Sequence, residues 1–196
     1  MAVRGSVDLY WIPLGAGGHV VRLSGKVFEA SSAWMRRRRR CDLFHSALIV
    51  ELPEGRTVIE QAPVPDLHGR RDRGVVVEGP VVSKLAGRFR LFRYEIRRWN
   101  GGEIPDLGFA VGDPIRVTDD ASIAARILEL VPSVPALVWG RDERRTGDMW
   151  NSNSIVAWLL VNAGIDVGGF SPPPGGRAPG WRAGIAVANG TPLARD

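Results

Sequence analysis

The chain has 196 residues, 24% of them charged and 44% apolar, with 24 Gly and 14 Pro. These proportions fit a globular domain and exclude collagen, a coiled coil and wholesale disorder. A chain of this length buries roughly 70% of the surface it exposes when unfolded, so its core needs no disulfide or metal staple. Cys41 is the single cysteine. It excludes a disulfide framework, a zinc site of four thiolates and a Cys-x-x-Cys redox pair, and it suits a reducing cytosol.

No run of eighteen apolar residues occurs, and residues 1–18 carry no continuous apolar stretch ahead of a small-residue cleavage pattern. The expectation is a soluble cytoplasmic protein. The net charge of +5 comes almost wholly from arginine, since Lys26 and Lys84 are the only lysines. A basic balance attracts acidic partners, but arginine replacing lysine also reflects a GC-rich, bacterial-type genome, which weakens the case for nucleic acid.

In chain order, Leu9, Trp11 and Pro13 alternate with Asp8, Tyr10 and Ile12, predicting a strand over Val7 to Pro13 that is closed by the glycine turn Gly15 to Gly18. That turn lacks the spacing of a dinucleotide loop and the Gly-Lys-Ser/Thr of a P-loop. From Ser24 to about Arg38, Val27, Phe28, Ala30, Trp34 and Met35 recur at helical spacing. They predict an amphipathic helix running into Arg36, Arg37, Arg38, Arg39 and Arg40. Cations suit a last helical turn, yet five exceed what capping uses, so phosphate or an anionic lipid surface is a candidate contact. No aromatic interleaving supports a nucleic-acid groove.

Leu43 to Leu52 and Thr57 to Ala62 read as a hairpin around Pro53-Glu54-Gly55-Arg56. Further strands are expected at Val75 to Val82, Arg88 to Trp99 and Phe109 to Thr118, giving an antiparallel sheet with one wet face. Helices follow at Ala121 to Val131, capped by Asp119 or Asp120, and at Ser152 to Ala163, with Ser152, Ile155, Val156, Leu159 and Ala163 facing the core. The Pro/Gly-rich stretch from Ser171 onward reads as an extended tail, so the expected division is one domain over 1–170 and a tail over 171–196. The strands-then-helices order predicts an α+β fold.

The residues that could do chemistry are few. His45 stands near the start of an otherwise apolar strand, where an imidazole can serve as a general base or be a satisfied core histidine. Trp150-Asn151-Ser152-Asn153-Ser154 opens a helix, where unpaired N–H groups favour an oxyanion or an ionised nucleophile, and where the same residues are also good caps. Asp66 and His68 lack a third ligand beside them, so neither metal nor cofactor is expected. Trp139, Trp150, Trp158 and Trp181 line an acyl pocket or pack the core.

A strand with His-x-x-Leu-x-Val, a glycine turn, a strand ending in Val-Ile-Glu, and a later Asn-nucleophile-Asn-Ser motif opening a helix together resemble one branch of the papain fold. It is the circularly permuted, NlpC-like branch that includes the lecithin retinol acyltransferase-like and deSUMOylating-isopeptidase-like hydrolases. The likeness spans roughly Leu43 to Leu160. It implies a permuted papain-like arrangement with His45 as base, Glu60 as the residue orienting it, and Ser152 where the family has cysteine. A serine hydroxyl is far less acidic than a thiol and needs full general-base help, which a Ser-His-Glu set supplies. If Glu54 and Gly55 were the central turn residues, Glu60 would share the His45 face but lie about 13 Å along it. A bulge at Gly55 would bring Gln61 there instead. Asn151 and Tyr10 are further candidates for orienting or oxyanion contacts.

Two functions follow. In the first, Ser152, His45 and Glu60 or Gln61 hydrolyse or transfer an acyl group of a small-molecule, peptide or lipid amide, ester or thioester. In the second, the fold is a catalytically inactive binding module that contacts an anionic partner through Arg36 to Arg40.

Overall fold

The computed structural model describes residues 4–14, 37, 39–63, 74–81, 83–89, 92–104 and 106–190. The glycine turn after Pro13, most of the helix expected from Ser24, His19, Asp66, His68, Arg36 and Arg38 lie outside these residues. Six strands, β1 Arg4–Pro13, β2 Asp42–Leu52, β3 Gly55–Pro63, β4 Val75–Pro80, β5 Arg93–Asn100 and β6 Ile115–Asp120, form one sheet in the order β4-β5-β3-β2-β1-β6. Every pairing along that path is antiparallel. A two-residue strand, β7 Gly176–Arg177, pairs parallel with Asp42 and Leu43. Three α-helices follow the six strands: α1 Ala121–Leu130, α2 Ser152–Asn162 and α3 Trp181–Ala188. The fold is α+β, an antiparallel sheet packed by helices. Among the described residues no helix is long and apolar enough to cross a membrane.

Alternation along the strands sorts two cores. Val7, Leu9 and Trp11 of β1, Phe44, Leu48 and Val50 of β2, Ile59 of β3 and Ile96 of β5 point to the face covered by the helices. Ile12, Ala47, Ile49 and Val58 point the other way and meet Ile104 from the chain after β5. The second face is therefore not simply wet: it also buries Glu95 and Arg97.

Asp120 caps α1, its carboxylate accepting the Ser122 N–H at 2.7 Å and the Ser122 hydroxyl at 2.6 Å. These bonds hold its pKa below the ordinary carboxylate value. The helix α2 is not amphipathic. All of its residues from 153 to 160 are buried, because the sheet lies on one side and α3 on the other. The single core-facing stripe expected for it is thus widened to the whole circumference.

Three boundaries differ from expectation. The Arg88 to Trp99 segment is a 3-10 turn, Ala86–Arg88, followed by β5 only from Arg93, and the Phe109 to Thr118 segment is a 3-10 turn, Leu107–Phe109, followed by β6 from Ile115. The stretch after Ser171 is not a loose tail up to residue 190. It forms β7 and α3, with Trp181, Ile185 and Val187 joining the main core.

Close approach of α3 to α2 depends on Gly184, where a Cβ would run into the carbonyl oxygen of Ser154. Gly184→Ala is expected to lower stability by about 1–3 kcal/mol through overpacking, read as a lower urea midpoint with an unchanged slope.

Candidate functional site

The Asn151–Ser154 stretch forms a polar knot. Asn151 is the N-cap of α2: its Oδ1 accepts from the N–H groups of Asn153 at 2.9 Å and Ser154 at 3.4 Å, while its Nδ2 donates to Pro179 O at 2.8 Å. Ser154 closes the capping box, its Oγ accepting from Asn151 N–H at 3.0 Å and lying 2.7 Å from Gly180 O, to which it donates. Asn153 Oδ1 accepts from the Ser46 hydroxyl at 2.8 Å, and its Nδ2 donates to Phe44 O at 2.9 Å and Pro179 O at 2.8 Å. One buried amide so joins β2, α2 and the chain entering α3.

Asp148 extends the knot. Its carboxylate accepts from the N–H groups of Gly180 at 2.6 Å, Met149 at 3.1 Å and Arg182 at 3.3 Å, which seats it at the start of α3. Burial raises its pKa, and the three N–H donors and Arg177 oppose that rise. Gly180 adopts φ +96°, and a Cβ there would collide with Asn151 Oδ1, so only glycine fits this corner.

Ser152, the expected nucleophile, is the member of the motif outside the knot: its hydroxyl makes no hydrogen bond among the described residues, and the side chain is half-buried at the first turn of α2. His45 is on the other side of the sheet. It pairs with Ile12 and shares the face of Ala47 and Ile49, whereas the neighbouring Ser46 faces Asn153 and the helices. Strand alternation places His45 and α2 on opposite faces, and the expected Ser152–His45 pair is not assembled. The imidazole makes no hydrogen bond among the described residues. Burial lowers its pKa, and the charge that opposes this is Asp106, not Glu60.

The hairpin turn also differs. Leu52 pairs with Gly55, making Pro53 and Glu54 the central residues, because proline's fixed φ suits the first central position and Gly55 takes φ +133° as the first residue of β3. The β2–β3 ladder stops at Leu48 and Ile59. Glu60 remains on the His45 face, but it pairs in register with Arg97, whose Nη1 lies 3.4 Å from its Oε1. Arg97 also holds Glu95 at 3.0 Å, a buried ion pair. Gln61 goes to the opposite face, opposite Ile96, with both polar atoms of its amide buried and unbonded among the described residues. Neither Glu60 nor Gln61 orients His45. Tyr10 lies on the His45 face, away from α2, where burial first and then Asp8 raise its pKa. Asn151 caps α2 and ties it to Pro179 O.

The four tryptophans pack rather than line a pocket. Trp150 is fully buried and its Nε1–H donates to Tyr94 Oη at 3.2 Å. Burial pushes the Tyr94 hydroxyl up to about 12. Trp139 stands edge-on to Tyr94 at 5.8 Å, Trp181 lies 5.3 Å from Trp11, and Trp158 is core.

Of the arginine run, Arg37, Arg39 and Arg40 are described, and all three are exposed just ahead of β2. Arg37 sits in a turn at φ +48°. Arg40, Cys41 and Asp42 line an open cavity of about 310 Å³ with Pro174 and Gly175. Among the described residues, no three His, Cys, Asp or Glu side chains converge as a metal group. No protein-family model, curated protein or solved structure matches the chain.

The residues that sequence reasoning passed over are Ser46 and Asp148, while Asn153 enters it only as part of the helix-start motif. The signal for the first was a hydroxyl inside an apolar strand.

Asn153→Ala removes the acceptor of the buried Ser46 hydroxyl and the side-chain donor to Phe44 O, while Pro179 O keeps its bond from Asn151, and it should cost about 3 kcal/mol in urea denaturation, against about 0.5 kcal/mol or less for Ser152→Ala. The lowered pKa of His45 means that the folded protein binds this proton less readily than the unfolded chain. The stability it contributes is complete above the unfolded value of 6.5 and is lost as pH falls through the folded value. Melting temperature should therefore drop more steeply below pH 6.5 in the wild type than in His45→Asn.

Proposed function

We propose that the chain is a binding module that contacts an anionic partner through Arg36 to Arg40, on a scaffold similar to the permuted papain-like arrangement and without acyl-transfer chemistry. The observation that carries this reading is the exposure of Arg37, Arg39 and Arg40 as the chain enters β2. Guanidinium groups keep their charge at any physiological pH and bind phosphate or carboxylate oxygens through paired N–H donors. The net charge of +5 adds a long-range attraction of the same sign.

The separation of His45 from the Ser152 helix by the thickness of the sheet argues against the hydrolase reading, as does the use of Asn151, Asn153 and Ser154 as structural bonds. A general base has to come within hydrogen-bond reach of the hydroxyl that it deprotonates. What supports the scaffold likeness is the Asn-Ser-Asn-Ser helix start lying against the strand that carries His45.

The wild-type chain should be retained on a sulfated polyanion matrix and elute with salt, and replacing Arg36 to Arg40 by glutamine should abolish retention while leaving the thermal melt in place. A fluorophosphonate should leave Ser152 unlabelled. Retention indifferent to the five substitutions would overturn the proposal, as would labelling of Ser152 that His45→Ala removes in a folded protein.

A further inference from the structure

One end of the sheet gathers what a membrane surface recognises. There β4 ends at Pro80 opposite Arg93, β3 ends at Pro63 opposite Tyr94, and β1 ends at Pro13 opposite Phe44, so β2 and β5 both begin at this end. Arg37, Arg39 and Arg40, just ahead of β2, enter here. So does the segment before β5, which displays Leu85, Phe89 and Phe92 at 69, 67 and 40% exposure, with Lys84 and Arg88 exposed beside them.

Those apolar side chains are presented by a fixed turn. Ser83 binds the turn twice, its Oγ accepting Ala86 N–H at 3.0 Å and its carbonyl accepting Gly87 N–H at 3.1 Å. Arg93 Nε–H donates to Gly87 O at 2.6 Å while its Nη1 pairs with Glu78 at 3.0 Å, and Phe92 O accepts Val81 N–H at 2.8 Å. The backbone is held at both ends, yet the large side chains face water. Phe109 and Val111 are also exposed, and Val111 N–H donates to Trp11 O near the end of β1, which brings them to the same end of the sheet. Among the described residues, Val75 is the one exposed large apolar side chain that begins a strand at the far end.

This end spans the starts of β5 and β2 and the ends of β3 and β1. Its charge is positive: Arg37, Arg39, Arg40, Lys84 and Arg88 against the exposed Asp42 and Asp113. Exposed aromatic and leucine side chains ringed by cations fit an interface whose headgroups are anionic and whose interior is apolar. Single-stranded RNA would stack bases on Phe89 and Phe92 and leave Leu85, the most exposed of the three, without a role, whereas an acyl layer takes all three.

We propose that this end of the sheet docks on an anionic lipid surface. Leu85, Phe89 and Phe92 enter the headgroup region, and Lys84, Arg88, Arg37, Arg39 and Arg40 bind the headgroup anions. The proposal rests on the anionic-partner reading and names the partner.

The test is co-sedimentation of the full chain with phosphatidylcholine vesicles with and without phosphatidylserine, run beside the polyanion matrix. The wild type should sediment only with the phosphatidylserine vesicles. The double variant Leu85→Ser, Phe89→Ser should lose at least about tenfold in vesicle affinity, since it removes two inserted apolar side chains, and should keep its matrix retention. Arg39→Gln with Arg40→Gln should lose about fivefold per cation on the vesicles and weaken on the matrix as well. All four side chains are exposed, and an unchanged thermal melt confirms that the variants fold. Vesicle binding unaltered in the double apolar variant, or matrix retention without vesicle binding, overturns the membrane proposal and leaves the anionic-partner reading standing. Loss of neither binding in the arginine variant overturns both.

Discussion

The side-chain amide of Asn153 is the bond on which the C-terminal half is hung. It is buried with its oxygen and nitrogen both engaged, on Ser46 and Phe44 of β2 and on Pro179 ahead of α3. An amide sealed from water is tolerable only when its partners are in place, so its position fixes theirs. The helix α2 can then be apolar all round, and Asp148 can hold the first N–H groups of α3 where a free carboxylate would otherwise remain in water. The small residues at the contact, Gly180 and Gly184, follow from the same constraint, because α3 must pass against the Ser154 turn to supply the carbonyl oxygens that the knot consumes.

That economy explains why a motif that looks like chemistry is architecture. Four small polar residues at a helix start suggest a nucleophile with an oxyanion site. Here three of them are spent on backbone groups of other segments, and the fourth, Ser152, does not meet His45, which lies on the other face of the sheet. The ionisable groups of the opposite face form their own pairings, Arg97 with Glu60 and Glu95, remote from α2.

Much of the fold could be read directly. Alternation predicts β1, the β-branched runs on either side of the Pro-Glu-Gly turn predict the β2–β3 hairpin, and Asp119 or Asp120 marks the start of α1. What escaped was set by tertiary contacts. On β2, Phe44, Leu48 and Val50 look no different from Ala47 and Ile49, so the sequence of the strand does not say which face meets the helices, and the side on which His45 falls is invisible without that. The helix α3 is short and preceded by Pro179-Gly180, which reads as a breaker; its helicity comes from docking on α2 and from the Asp148 carboxylate, thirty-odd residues away. Phe89, in the exposed turn that also carries Leu85, falls within the strand expected from Arg88, because an arginine–apolar alternation has the same spelling whether the apolar residues turn inward or stand in water.

The contact between Ser46 and Asn153 spans 107 residues. Closing a loop of that length comes late, since its entropy is lost before any of its bonds form. During synthesis the strands of the sheet and α1 leave the ribosome before α2 and α3, and until those helices arrive Trp11, Phe44, Leu48 and Ile59 belong to an apolar face with α1 alone against it. A nascent chain at that stage is a sheet with part of its cover, the kind of intermediate that self-associates or engages chaperones. The segment from Trp150 to Ala188 is thus the step that ends the vulnerable period of the protein's own biogenesis.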